Sequence, residues 1–194
     1  PRDKNDDNST YTMADAVFAA CFLNAMNRNC DIVGMANFAP ILNTRGCIYS
    51  YDKGIVLRST YHVFDLYVNY LGDTVIDLWA QDKVPMMDVR SKSGDEVSVD
   101  ILDLLATKWS EREGMSLAAV NKHAVESQSI ILDYEADDAE IIMYSITGKS
   151  ADSYNDIDRN EIGIEAKKPE RYSRGMQVEL APHSVNVIQI IPVR

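Results

Sequence analysis

The chain has 194 residues, 46% hydrophobic and 25% charged, enough for one large domain or two small ones with a self-supporting core. Thirty acidic against nineteen basic side chains give a net charge of −11, and no Lys/Arg cluster reverses it locally, which argues against a nucleic-acid partner. No apolar run approaches the ~20 residues of a membrane-spanning helix, and Cys21, Cys30 and Cys47 read as reduced apolar residues, without a disulfide framework or a CxxC zinc pair.

The first ten residues, PRDKNDDNST, carry no initiator Met and no signal-peptide pattern of charge, apolar stretch and small residues. They read as a solvated lead-in to a piece of something longer, and the Asn8-Ser9-Thr10 sequon adds nothing to that. TMADAVFAACFLNAMNRN then places Ala14, Val17, Phe18, Cys21, Phe22 and Ala25 at helical spacing, which predicts an amphipathic helix with those side chains on its apolar stripe. Thr12 followed by Asp15 resembles a capping box with the shorter acid, and Cys30-Asp31 closes the helix. IVGMANF, almost wholly apolar and without period-two alternation, predicts a short strand buried on both faces, as parallel strands under helices are. Helix followed by buried strand is the grammar of an α/β unit.

That strand opens into the polar loop NFAPILNTRG, and CIYSYD and GIVLRS follow as two extended pieces around Lys53-Gly54. TYHVFDLYVNYL predicts a second helix with Val63, Phe64, Tyr67 and Leu71 on one side and Gly72 as its stop. From Thr74 onward helical spacing disappears. TVIDLWA, VPMMDVR, VSVDILDLLATKW, MSLAAVNKH, SQSIILDYE, AEIIMYSIT, EIGIEAKK, MQVELAP and SVNVIQIIPV are short extended segments between charged or Gly/Pro turns, the spacing of an antiparallel sandwich or jelly roll. In the last of them Val185, Val187, Ile188 and Ile190 are core candidates, and the boundary between the two regimes falls near Gly72-Asp73.

Within the chain, candidate chemistry is sparse. NDIDRNEIG sets Asp156, Asp158 and Asn160 at alternate positions like the start of a calcium loop, but Glu161 stands where the turn needs Gly and Lys167 where the bidentate Glu belongs. A solvated turn is the better reading, and no metal is expected. His62, His123 and His183 have no ligand spacing, and nothing places a nucleophile beside them. Glu111 and Glu113 flank Arg112 as a solvated charge cluster, and Asp77 and Asp88 face solvent by strand alternation. Asn37 and Asn43 at the tip of the apolar strand could hydrogen-bond a polyol, with Arg45 supporting the loop, but the residues by themselves favour turn residues satisfying their own backbone.

The runs FLNAMNRNCDIVGMANFAPILNTRG and GIVLRSTYHVFDLYVNYLGD, with LAAVNKH, SYNDID and LAPHSVNVIQI in the same order, resemble the C-terminal part of the α-L-arabinofuranosidases of glycoside hydrolase family fifty-one. The resemblance covers nearly the whole chain from Tyr11 and is most specific in its first half. It implies an α/β barrel remnant at residues 1–72, the last helix–strand–helix of a catalytic (β/α)8 barrel, followed by an all-β jelly-roll sandwich at 73–194, mostly β overall. IVGMANF would be the eighth strand, and Asn37, Pro40, Asn43 and Arg45 would form a substrate-proximal loop at its tip. The family's sugar-contacting Gln aligns with Pro40, which cannot replace it, whereas Asn43 matches an Asn of that loop; fine sugar specificity therefore stays open.

Family members are retaining hydrolases that release terminal α-L-arabinofuranosyl groups from arabinan and arabinoxylan, using two glutamates ~5 Å apart. Both glutamates would precede residue 1, so no catalytic residue is carried over and the chain alone is expected to be inactive. No cofactor is implied. The partner would be an arabinose-containing oligo- or polysaccharide, and a homo-oligomer is expected. The parent's compartment stays open between cytoplasm and export, with the cytoplasm placed first. One rival is a non-catalytic carbohydrate-binding or docking module, with Trp79 and Trp109 as sugar platforms; their dispersal favours core packing instead. The other keeps the fold and acts on a different glycan such as a β-glucan.

Overall fold

A computed structural model of the chain describes residues 7–193; the charged lead-in Pro1–Asp6 lies outside the described residues, as does Arg194. Helix α1 (Met13–Arg28) and helix α2 (Ser59–Tyr70) flank an antiparallel hairpin of β1 (Ile48–Tyr51) and β2 (Gly54–Leu57). The remaining elements are strands. β3 (Thr74–Ile76) precedes a ribbon of β4 (Met86–Arg90) with β5 (Glu96–Asp100). β6 (Leu102–Lys108), β7 (Met115–Asn121), β8 (Gln128–Leu132) and β9 (Ala139–Ile146) follow. The chain closes with β10 (Ile164–Ala166), β11 (Glu170–Arg171), β12 (Met176–Leu180) and β13 (Ser184–Pro192).

The centre is an antiparallel seven-stranded sheet in the order β10-β9-β13-β7-β6-β3, with β11 also paired to β9. Side chains alternate between its faces. On one face Leu105, Ala118, Val120, Ile146, Val185 and Val187 pack against Met13, Ala16, Val17 and Ala20 of α1 and Val63, Leu66 and Tyr67 of α2. On the other, Ala106, Leu117, Ala119, Ile141, Ile188 and Ile190 pack against Leu132 of β8, Leu180 of β12 and Tyr172. β8 and β12 pair with each other as a separate ribbon. The molecule is thus layered as helices, sheet, ribbon. Val185, Val187, Ile188 and Ile190 are all fully buried, as expected of core residues, because both faces of the sheet are covered.

Polar contacts fasten the helices to the sheet. The capping box forms, with the Thr12 N–H donating to the Asp15 carboxylate at 2.7 Å. Two further N–H groups at the start of α1 find acceptors outside the helix: Met13 donates to Ser153 O at 2.8 Å and Ala14 to Ala151 O at 3.0 Å. At the far end Arg28 grips Asp103 of β6 with both terminal nitrogens, at 2.9 and 3.1 Å. Asn24 Nδ2 donates to the same carboxylate at 2.8 Å, and Asn24 Oδ1 accepts from the Tyr67 hydroxyl at 2.8 Å. A carboxylate with several donors at one joint forms the stronger, charge-assisted kind of hydrogen bond.

Four expectations are corrected. IVGMANF forms no strand: Ile32–Phe38 is irregular and mostly exposed, with Ile32 and Met35 both at 78%. An apolar run becomes a buried strand only where neighbouring strands and helices cover it, and among the described residues no strand pairs with this one. The stripe of α1 is also rotated. Met13, Ala16, Val17, Ala20 and Asn24 face inward, whereas Ala14, Phe18 and Phe22 are exposed and Phe18 and Phe22 stack on each other at 6.1 Å. Small Ala side chains let the helix approach the sheet closely, and the bulky Phe residues fall on the other side. Gly72 follows the end of α2, as expected of its stop, but does not end it through a left-handed backbone. Leu71 is the cap, in extended conformation, and Gly72 is needed because a Cβ there would lie 2.2 Å from Lys108 O. On α2, Leu66 takes the fully buried place, while Phe64 and Leu71 are half-buried.

Candidate functional site

The loop singled out by the sequence begins where Phe38 meets Phe64 of α2 edge-on, ring centroids 5.4 Å apart. The Ala39–Pro40 peptide is cis. At the tip Asn43 and Thr44 are left-handed, with φ of 51° and 43°, a conformation that Asn tolerates and Thr resists. Backbone bonds close the turn: Gly46 N–H to Asn43 O at 2.6 Å, Asn43 N–H to Ile48 O at 2.8 Å and Ile48 N–H to Ile41 O at 3.1 Å. The side-chain oxygen of Asn43 accepts from Ser50 N–H at 2.6 Å. Asn37, Pro40 and Arg45 are exposed and Asn43 is half-buried, so one surface loop carries all four.

Beneath the tip lies a group that the sequence reading does not mark. Arg58, between β2 and α2, is fully buried. Its Nε donates to Asn8 Oδ1 at 2.8 Å, and its Nη1 donates to Thr44 O at 2.8 Å and Gly46 O at 2.7 Å. The guanidinium lies 3.7 Å from the Tyr11 ring centroid and 5.6 Å from that of Tyr49. The Tyr11 hydroxyl donates to the same Thr44 carbonyl at 2.6 Å. Asn8 continues the chain of bonds, its Nδ2 donating to Asp156 Oδ1 at 2.8 Å. Nothing in the run GIVLRS separates a buried Arg from an exposed one, because its partners come from distant segments.

The NDIDRNEIG loop is only partly the solvated turn expected. Its tip, residues 157–160, is exposed, but Asn155 at its base is buried. Asn155 donates to Leu57 O at 2.9 Å and Ile162 O at 2.8 Å, and accepts from the N–H groups of Glu161 and Ile162, both at 2.8 Å. That makes it a joint between the hairpin and the sheet region. Among the described residues no three His, Cys, Asp or Glu side chains come together to hold a metal.

The histidines have structural surroundings. Burial pushes His62 and His183 below the ordinary imidazole range. His123 Nδ1 accepts from Glu126 N–H at 2.9 Å. Burial, with Asp103 nearby, raises the Cys21 thiol to about 11, far from a nucleophilic thiolate. An open cleft of about 1000 Å³ is lined by Ser110, Glu111, Arg112, Glu113, Glu140 and Pro192. All three of its glutamates are exposed, without the apolar enclosure that a glycosidase general acid uses at neutral pH. Arg112 stacks over Trp109 at 3.6 Å from the ring centroid. Trp79 is 81% exposed, against the expectation of core packing, because it lies past the last paired residue of β3, where no second layer covers it.

The family described as the alpha-L-arabinofuranosidase C-terminal domain matches residues 2–184. An intracellular exo-alpha-L-arabinofuranosidase of Bacteroides ovatus is 28% identical over 186 residues, which cover 92% of this chain and 34% of that protein. The chain therefore spans about a third of the length of that relative. The fold is similar to a family fifty-one α-L-arabinofuranosidase of Thermotoga petrophila, with a TM-score of 0.82 and 22% identity over 97% of this chain and 40% of the other. The α-L-arabinofuranosidase of Thermotoga maritima, solved with arabinose, gives a TM-score of 0.81 and 22% identity over 92% of this chain and 38% of the other.

Proposed function

The chain belongs to the α-L-arabinofuranosidase C-terminal domain family, and on that premise we propose that it is the C-terminal part of a retaining enzyme that releases terminal α-L-arabinofuranosyl groups from arabinan and arabinoxylan. In this reading residues 1–72 are the last part of the catalytic barrel, with α1 and α2 as its helices and Ile32–Phe38 as the segment between them, and residues 73–194 are the appended jelly roll. The two catalytic glutamates lie upstream, and Asn37, Asn43 and Arg45 stand near the sugar with Pro40 shaping the loop.

The observation that carries the reading is the state of Ile32–Phe38. It is apolar yet exposed and unpaired, between two helices that are well packed on the sheet. An upstream set of strands would give it the neighbours it lacks. The exposed Phe18 and Phe22 on α1 support the same view, since an adjoining barrel helix would cover them. Left bare, these faces also favour self-association, which sedimentation at rising concentration would register.

The test compares release of a chromophore from an aryl α-L-arabinofuranoside by this chain and by the same chain extended upstream. Activity only in the extended protein is the expected result. Turnover by the 194-residue chain itself would overturn the assignment of the carboxylates to an upstream segment.

A second reading rests on Trp79. Its exposed ring could stack on a sugar face, as in a carbohydrate-binding module. Saturable quenching of tryptophan fluorescence by arabino-oligosaccharides, abolished in Trp79→Ala, would favour it; silence of the extended protein toward arabinofuranosides would strengthen it further.

A further inference from the structure

The buried Arg58 clamp has no part in the chemistry above, yet it connects three distant stretches of chain. Its guanidinium donates to Asn8, Thr44 and Gly46, and its flat face rests near Tyr11 and Tyr49. We infer that Arg58 is a positioning residue: it holds the tip Asn43–Gly46 from below, and through it sets where Asn43 and Arg45 stand relative to a bound sugar. The sugar part of this rests on the proposed function; the clamp itself rests only on the contacts described.

The physical case has three steps. First, the tip is costly to form. Two successive non-glycine residues with φ of 51° and 43° persist only where their surroundings over-determine them. Second, the bonds that over-determine it come from two directions. The hairpin supplies Ile48 O and Ser50 N–H to Asn43. Arg58 and Tyr11 supply three donors to the other side, two to Thr44 O and one to Gly46 O. Third, only a guanidinium can make this set. Its planar fork reaches Asn8 and two backbone carbonyls at once while keeping its face for the Tyr11 ring, which a lysine ammonium on a flexible stem cannot reproduce. Gly46 completes the fit, because a Cβ there would stand 2.5 Å from Ile41 O.

Loosening such a clamp does not remove a group that touches the scissile bond. It lets the loop sample other positions, which weakens contacts that substrate and transition state share. That pattern raises KM with little change in kcat. The experiment uses the upstream-extended enzyme and compares Arg58→Lys and Tyr11→Phe with the parent in two assays. One is steady-state kinetics on the aryl arabinofuranoside. The other is the rate of tryptic cutting after the exposed Arg45, followed by mass spectrometry, which reads the tip without reference to activity.

The expected result for Arg58→Lys is a rise in KM and in cutting after Arg45, each on the order of tenfold, with kcat within about twofold. Tyr11→Phe removes one donor to Thr44 O and leaves the ring in place, so the same changes should appear at roughly a third of that size. It also keeps the question decidable if the lysine variant does not fold. Unchanged KM and unchanged cutting after Arg45 in a folded variant with a lowered melting point would overturn the proposal, leaving Arg58 a stability element only. Faster cutting with unchanged KM would overturn the link from tip to sugar. If the extended protein itself turns over no arabinofuranoside, the functional reading and the sugar part of the inference fail together, while the cutting rates still decide whether the clamp exists.

Discussion

In β13, Val185, Val187, Ile188 and Ile190 are all fully buried, whereas in α1 Phe18 and Phe22 are 70% and 57% exposed. The strand is central in its sheet, with helices over one face and the β8–β12 ribbon over the other. The helix uses one narrow side, built of Met13, Ala16, Val17 and Ala20, and leaves a second apolar side uncovered. The difference teaches that the central strand is covered on both faces, by the helices and by the ribbon, while α1 is covered only on the side that meets the sheet. An apolar side chain therefore has a different meaning in the two places. In β13 it holds the fold, and on the outer side of α1 it is available for another surface.

The sharpest way to test that contrast is a matched pair of truncations. Ile188→Ala should lower stability by about 3 kcal/mol, because it opens a cavity in a covered layer. Phe18→Ala should change it by less than about 0.5 kcal/mol. Denaturant midpoints for the two variants decide the matter, and equal losses would mean that α1 buries more than its inner side.

The next largest effect is expected at the joint between the regions. Gly72→Ala forces a Cβ to within 2.2 Å of Lys108 O, and the backbone shift should cost about 2 kcal/mol. If the melting point does not fall, the close approach of these segments is wrong. Asn24→Ala leaves the Tyr67 hydroxyl only its longer bond to Ala20 O at 3.3 Å and removes one donor from Asp103. A loss of about 1–2 kcal/mol is expected, and a double-mutant cycle with Asp103→Ala should show coupling.

Acid should weaken the fold in a defined direction. His62 and His183 are both lowered by burial, so the unfolded chain takes up protons first. Their contribution is intact above the ordinary imidazole value of about 6.5 and is lost as the pH falls through the depressed folded values. Melting curves across that range should show a modest fall, and His62→Gln should flatten it. The smallest effect is chemical. With its thiol raised to about 11, Cys21 should resist iodoacetamide at neutral pH, while Cys30, exposed after the end of α1, is modified first. Labelling in the reverse order would place the covered side of α1 elsewhere.

Much of this was legible in the sequence. The strands after Thr74 announced themselves by short length, turn residues and alternation, because each side chain in a central strand has a fixed face. Both helices, the Thr12–Asp15 cap and the two extended pieces around Lys53-Gly54 were readable for the same local reason. The face of α1 was not: two apolar sides compete on it, and only the sheet's demand for small residues selects Ala16 and Ala20 over Phe18 and Phe22. The four loop residues were readable as a group, whereas the clamp beneath them was not.

By itself the sequence determined the two helices, the extended segments on either side of α2, the core of β13 and the family, all of which depend on neighbours a few residues apart or on a long ordered match. Tertiary structure alone decided which side of α1 is covered, why Gly72 must be glycine, and that Arg58, Asn8 and Asn155 are buried joints. Each of those depends on atoms brought together from distant segments, up to 148 residues apart in the bond from Asn8 to Asp156, and no local pattern encodes a partner that far along the chain.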